Sequence, residues 1–130
     1  MTEVQSQPAK LERRRVGRTS LEVTSLGFGT VALGLLAEEE VPIGRAAIER
    51  ALARGLTFFD TAPYYGNGRA ERRLGEIFRT VDRSSFVVTS KVGRIVTAED
   101  EERPNAWQPP FDYSYDGVMR SFETSQRRLG

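Results

Sequence analysis

Hydrophobic positions in this chain change period several times, and each change marks an element. After a polar opening, MTEVQSQPAK, the segment RRRVGRTSLEVTSLGFGT holds two short β-prone pieces around Gly17-Arg18-Thr19-Ser20, which predicts a small hairpin. Its second piece runs into Ser25-Leu26-Gly27-Phe28-Gly29-Thr30, expected to be a buried strand whose glycines allow close approach to the backbone. From Pro42 the apolar spacing becomes helical: Ala47, Ile48, Ala51 and Leu52 share one face, and Gly55 suits a left-handed stop. Leu56 to Phe59 predicts a short strand. Ala70, Leu74, Ile77 and Phe78 then form the stripe of a second helix, with Arg69, Arg72, Arg73 and Glu76 expected to face water. Phe86 to Lys91 predicts another strand. A long loop follows over 92–113, carrying the run Glu99-Asp100-Glu101-Glu102, expected to be solvated; an ordered loop of that length often covers a site. A last helix, from about Tyr115 to Leu129 with Ser114 as N-cap, is expected to bury Val118, Phe122 and Leu129.

The order is therefore a hairpin followed by three strand–helix units. Such alternation predicts an α/β fold with a parallel sheet and helical crossovers. Residues 1–12 are expected to be a disordered leader and 13–130 the folded unit. Trp107, in the long loop, would line a pocket or cover apolar surface.

Composition narrows the function. Hydrophobic residues make up 38% and charged residues 28% of 130, the balance of an ordinary globular chain. A net charge of +1 gives no electrostatic case for nucleic acid or an anionic membrane surface. Arg13, Arg14, Arg15 and Arg18 read as a solvated tail and strand edge. Neither cysteine nor histidine occurs, which removes disulfides, the usual zinc ligands and every Ser-His-Asp or Cys-His arrangement. The apolar run Leu26–Ala37 is too short and glycine-rich to span a bilayer, and the opening residues lack the apolar core of a signal peptide. A cytoplasmic setting is expected.

Two phosphate-binding signatures fail on inspection. Gly27 and Gly29 begin a dinucleotide fingerprint, but the third glycine is Gly34, two positions late. Gly29 and Gly34 have Walker A spacing, but Leu35 stands where lysine is required. More informative are Asp60 and Lys91, at the C-terminal ends of two predicted parallel strands, with Tyr65 in the loop just after the first. That edge is where β/α folds gather ligands and catalytic groups. An ammonium beside a phenol favours the phenolate, a carboxylate beside the lysine holds it charged, and such a trio could give a proton to a carbonyl oxygen or take one from an alcohol. The plainer alternative has Asp60 capping its loop and the tyrosine and lysine merely standing at loop edges.

The stretches SLGFGT, FFDTAPYYGNGRAERRLGE and VVTSKVG, in this order and spacing, resemble the N-terminal part of an aldo-keto reductase over residues 14 to 130. The tail FDYSYDGVMRSFETSQRRLG is similar to the sugar-oxidising branch of that family, the D-threo-aldose and L-fucose dehydrogenases, and to related pyridoxal dehydrogenases. The resemblance implies a partial (β/α)8 TIM barrel, its N-terminal hairpin plus the first three β/α units, with the hairpin closing the barrel bottom. It implies hydride transfer between NADP or NAD and a carbonyl or sugar-like alcohol. Tyr65 then matches the proton donor, Lys91 the lysine that lowers the pKa of that donor, and Asp60 the carboxylate paired with the lysine. Gly29, Thr30 and Val31, with Asp60, match the segment beside the nicotinamide, and Tyr64 falls in the substrate-pocket region.

The family also carries a histidine on the next strand and its pyrophosphate and adenine sites on the last strands, and this sequence contains none of these. A full barrel takes about 250 residues. The chain is therefore expected to be a truncated sequence, inactive alone, with an open barrel edge that leaves it marginally stable and prone to self-association. The alternative expectation is a non-catalytic half-barrel remnant or regulatory binding module.

Overall fold

In the computed structural model, residues 10–103 and 108–130 are described. Most of the expected leader, and Trp107, fall outside them. The hairpin forms as β1 (Arg13–Arg15) and β2 (Glu22–Thr24), paired antiparallel with Arg13 opposite Thr24, and its four arginines are exposed. Thr24 is buried and trades hydrogen bonds with Thr57: each threonine's amide donates to the other's hydroxyl at 3.2 Å. Thr57 immediately precedes β4 (Phe58–Asp60), so the hairpin closes the N-terminal end of the sheet.

The segment expected to be one longer strand, Ser25–Thr30, contains only β3 (Phe28–Gly29), and the chain then turns into a five-residue helix, α1 (Val31–Leu35). Helix α2 (Val41–Ala53) follows a turn over Glu38–Glu40. It buries Ile48 fully and Ala51 and Leu52 in part, but Ala47 is exposed, since the helix is covered on a narrower face than its pattern offers. Gly55 ends the segment at a φ of 80°, the left-handed conformation expected of it. β4 pairs in parallel with β3 and with β5 (Val87–Thr89), in the order β3-β4-β5. Helix α3 (Arg69–Phe78) lies between, and α4 (Ala98–Glu101) and α5 (Tyr115–Leu129) complete the described elements. No helix among the described residues is long and apolar enough to cross a membrane.

The core is a row of rings. Phe28, Phe59, Phe78 and Phe86 follow one another at centroid distances of 6.0, 5.0 and 4.0 Å, with Ile48, Leu56, Leu74 and Ile77 packed around them. All four members of the predicted α3 stripe are buried. Arg73, expected to face water, is buried instead. Helix α1 is too short to satisfy its own last carbonyls, and Arg73 Nη1 donates to Leu33 O at 2.6 Å and Leu36 O at 3.0 Å while Nη2 meets Glu38 at 2.7 Å.

Two further expectations are corrected. The acidic run is not simply solvated: Thr97 and Asp100 cap each other across α4, and Glu101 turns inward to Arg72 and Arg128. Along α5 the buried residues are Gly117, Ser121 and Ser125, whereas Phe122 is half-exposed and Val118 and Leu129 only partly covered. The N-cap is as expected, the Gly117 amide donating to Ser114 Oγ at 3.1 Å.

Candidate active site

Parallel register puts the chemistry on one edge. Gly29, Asp60 and Thr89 lie side by side at the C-terminal ends of β3, β4 and β5. Thr89, the last residue of β5, and Lys91, two residues on, both reach Asp60. Thr89 Oγ1 donates to Asp60 Oδ1 at 3.0 Å, and Lys91 Nζ donates to Asp60 Oδ2 at 2.8 Å. Lys91 Nζ also donates to Thr61 O at 2.9 Å and stands 4.8 Å from the centre of the Tyr65 ring. Partial burial pulls the Lys91 pKa down, but the hydrogen bonds with Asp60 and Tyr65 and their charges outweigh it, so the net direction is up and the ammonium is held charged. Asp60, Tyr65 and Lys91, picked from the sequence, therefore converge.

Tyr65 is set by backbone geometry. Gly66, Asn67 and Gly68 have φ values of 62, 49 and 91°, three consecutive left-handed residues that turn the chain sharply into α3. Asparagine tolerates this conformation better than most residues, and its Nδ2 is tied to Asp100 O at 3.2 Å and Arg103 O at 3.1 Å. The amide of Ala70 donates to Tyr65 O at 3.1 Å, joining the tyrosine to the first turn of α3. Gly34 of α1 packs backbone to backbone against Tyr65 and Gly66, and a Cβ on Gly34 or Gly66 would run into the other's main chain. By its spacing from Gly29, Gly34 suggests a phosphate loop. Its place is to let α1 press against the tyrosine loop.

The residues expected to lie beside a nicotinamide are near the site but unequal. Gly29 is exposed, with open space where a Cβ would stand, so a flat ring could approach its backbone. Val31 is exposed at the start of α1. Thr30 is fully buried, and both its amide and its hydroxyl donate to Asp60 O at 3.0 Å, so its side chain clamps β3 to β4 rather than facing a ligand. Tyr64 stands at the rim. The Arg94 guanidinium lies 4.7 Å from its ring and 3.6 Å from that of Phe111, which stacks on Tyr113 at 5.4 Å. The described ends of the 92–113 segment thus meet beside the tyrosines, through the Arg94–Phe111 bridge and the Asp112 amide on Gly93 O.

This geometry agrees with the kinship of the sequence. The profile of the Aldo/keto reductase family matches residues 25–130. Over 92% of its length the chain is similar to pyridoxal 4-dehydrogenase of Microbacterium luteolum, at 42% identity, and over 85% to D-threo-aldose 1-dehydrogenase of a Pseudomonas species, at 34%. It spans 40% and 37% of those two proteins. A solved aldo-keto reductase from Pseudomonas aeruginosa superposes on 90% of the chain with a TM-score of 0.69 and 35% identity, the match taking in 42% of that protein. Motif, parallel sheet and relatives lead to one conclusion: the chain belongs to the Aldo/keto reductase family.

Proposed function

We propose that this chain carries the proton-transfer half of a nicotinamide-dependent oxidoreductase acting on sugar-like or similar small aldehydes and alcohols. The observation that carries the reading is the convergence of Asp60, Lys91 and Tyr65 at the C-terminal edge of the sheet. Tyr65 gives its hydroxyl proton to the carbonyl oxygen during reduction, and takes a proton from the alcohol during oxidation. Lys91, held charged by Asp60, steadies the negative charge left on the phenol oxygen. Gly29 and Val31 are the residues open enough to lie against a nicotinamide, which when bound supplies or receives the hydride. The names of two relatives, a pyridoxal and an aldose dehydrogenase, support small aldehydes and cyclic sugars as substrates and NADP or NAD as cofactor. A cytoplasmic setting and a small-molecule partner, rather than nucleic acid or membrane, belong to the same proposal.

The test is Tyr65→Phe in the full-length protein. Turnover with aldoses or pyridoxal should fall about 10²- to 10⁴-fold, the share general acid–base catalysis supplies, with NADPH and NADH binding by fluorescence titration unchanged. Undiminished turnover would overturn the role of Tyr65. Wild-type protein that binds neither cofactor would favour the non-catalytic module.

A further inference from the structure

The half of the central motif that lies beyond Tyr65 builds a second arrangement. Glu71 is fully buried on the first turn of α3, and the side chain of its partner Arg128, on α5, is 6% exposed. Two glycines of the motif make room for that arginine. A Cβ on Gly68 would lie 2.6 Å from Arg128 Nε, and one on Gly75 would lie 2.5 Å from Arg128 O. Arg128 Nη1 donates to Glu71 Oε2 at 3.2 Å, Nε to Glu101 Oε1 at 2.8 Å and Nη2 to Val96 O at 2.8 Å. The other carboxylate oxygen, Glu71 Oε1, accepts the Ser90 hydroxyl at 2.6 Å.

Taking a carboxylate and a guanidinium out of water costs more than apolar side chains of the same volume would. Stability alone is a poor account of the arrangement, and what it joins gives a better one. Glu71 follows Ala70, whose amide holds Tyr65 O. Ser90 precedes Lys91 just beyond the end of β5, and their contacts lie on different sides: the serine meets Glu71 of α3, the lysine Asp60 of β4.

We infer that Glu71 is a positioning residue for the proton-transfer pair: clamped by Arg128, it fixes Ser90, and through it the end of β5 from which Lys91 reaches Asp60 and Tyr65. This rests on the function proposed above for Lys91. Its test does not require turnover.

The sequence has two lysines, Lys10 and Lys91, so competitive acetylation followed by peptide mass spectrometry reads Lys91 with Lys10 as an internal reference. The measured quantity is the pH midpoint of Lys91 labelling, compared only among variants whose circular dichroism and urea midpoint match wild type, because a general loosening of the fold would also release Lys91 from Asp60. Ser90→Ala, which alters no charge, should lower the Lys91 midpoint and raise its labelling rate below that midpoint about threefold, the effect of half a pKa unit. Glu71→Gln should act at least as strongly, Ser90→Thr should restore the wild-type midpoint, and Lys10 should stay fixed throughout. An unchanged Lys91 midpoint in Ser90→Ala, with wild-type circular dichroism, overturns the proposal, and this variant decides alone if Glu71→Gln does not fold. Asp60→Asn separates the two levels. A response to Asp60→Asn without one to Ser90→Ala overturns only the positioning role. No response to either overturns the Asp60–Lys91 pair and the proposal with it.

Discussion

Helices α3 and α5 are written with the same periodicity and end in opposite surroundings. Every apolar position of the α3 stripe is buried, against β4 on one side and between α1 and α5 on the others. Among the described residues, helix α5 packs mainly on α3, with polar ties to Glu101 of α4 and to Gly93 and Arg94. Its Phe122 is 50% exposed and its Met119 37%. On its free flank a groove of about 640 Å³ runs along β5, lined by Phe78, Phe86, Val88, Phe122 and Leu129. An amphipathic pattern states which face needs cover; whether a neighbour supplies it depends on elements far away in sequence.

The sharpest way to break this comparison is to truncate one side chain in each helix. Leu74→Ala, at a fully buried position, should cost about 2–5 kcal/mol, the range for a leucine removed from a packed core. At a concentration where the chain is monomeric, Phe122→Ala should cost much less, because half of that ring already faces water. Urea denaturation with both the midpoint and the slope recorded is the check. Equal losses would mean that α5 is covered in solution and the groove is not free.

A second experiment asks what covers it. The outer edges of β3 and β5 are unpaired within the three-stranded sheet. Exposed edges recruit strands from other copies, and we propose that the chain associates with itself through the β5 edge and the groove beside it. Sedimentation velocity should then show concentration-dependent association. Phe122→Asp should weaken it by about tenfold or more, since a buried phenylalanine contributes roughly 1.5–3 kcal/mol and 1.4 kcal/mol is a factor of ten. Association unaffected by this substitution would place the contact elsewhere.

The contrast also explains which parts of the molecule were legible beforehand. Short-range patterns were readable: the α3 stripe, Ser114 before α5, and the strand ends that place Asp60 and Lys91 on one edge. The unreadable parts depend on partners distant in the chain. Arg73 looks like a surface residue until α1, which has no strong pattern of its own, presents two carbonyls to it. Gly34 can be understood only beside Gly66, and Glu71 only beside Arg128, 57 residues away. Phe122 belongs to an apolar stripe by spacing, but spacing says nothing about what stands opposite.

The smallest expected effect concerns how the two helices begin. Helix α3 starts at Gly68 with no side-chain cap and is held by the packing of its stripe. Helix α5, lacking such cover, relies on polar contacts at its start: Asp112 Oδ1 accepts the Ser114 amide at 3.0 Å and hydroxyl at 2.6 Å, while Oδ2 meets Arg120 at 2.8 Å. The side-chain and backbone bonds from Ser114, more than the charge of Arg120, hold the Asp112 pKa below its ordinary 3.8. A carboxylate whose pKa is lower in the folded chain stabilises it above the unfolded value and loses that contribution as pH falls through the folded one. Acid should therefore loosen the start of α5 below pH 3.8, before it disturbs α3. Amide chemical shifts of Gly117 and Leu74, followed together on acid titration, provide the measurement. Ser114→Ala, which removes both the cap and a partner of Asp112, should cost about 1 kcal/mol and flatten the Gly117 response. If the two amides instead moved in step, the ends and the flanks of α5 would contribute alike, and the difference between the helices would lie in the core alone.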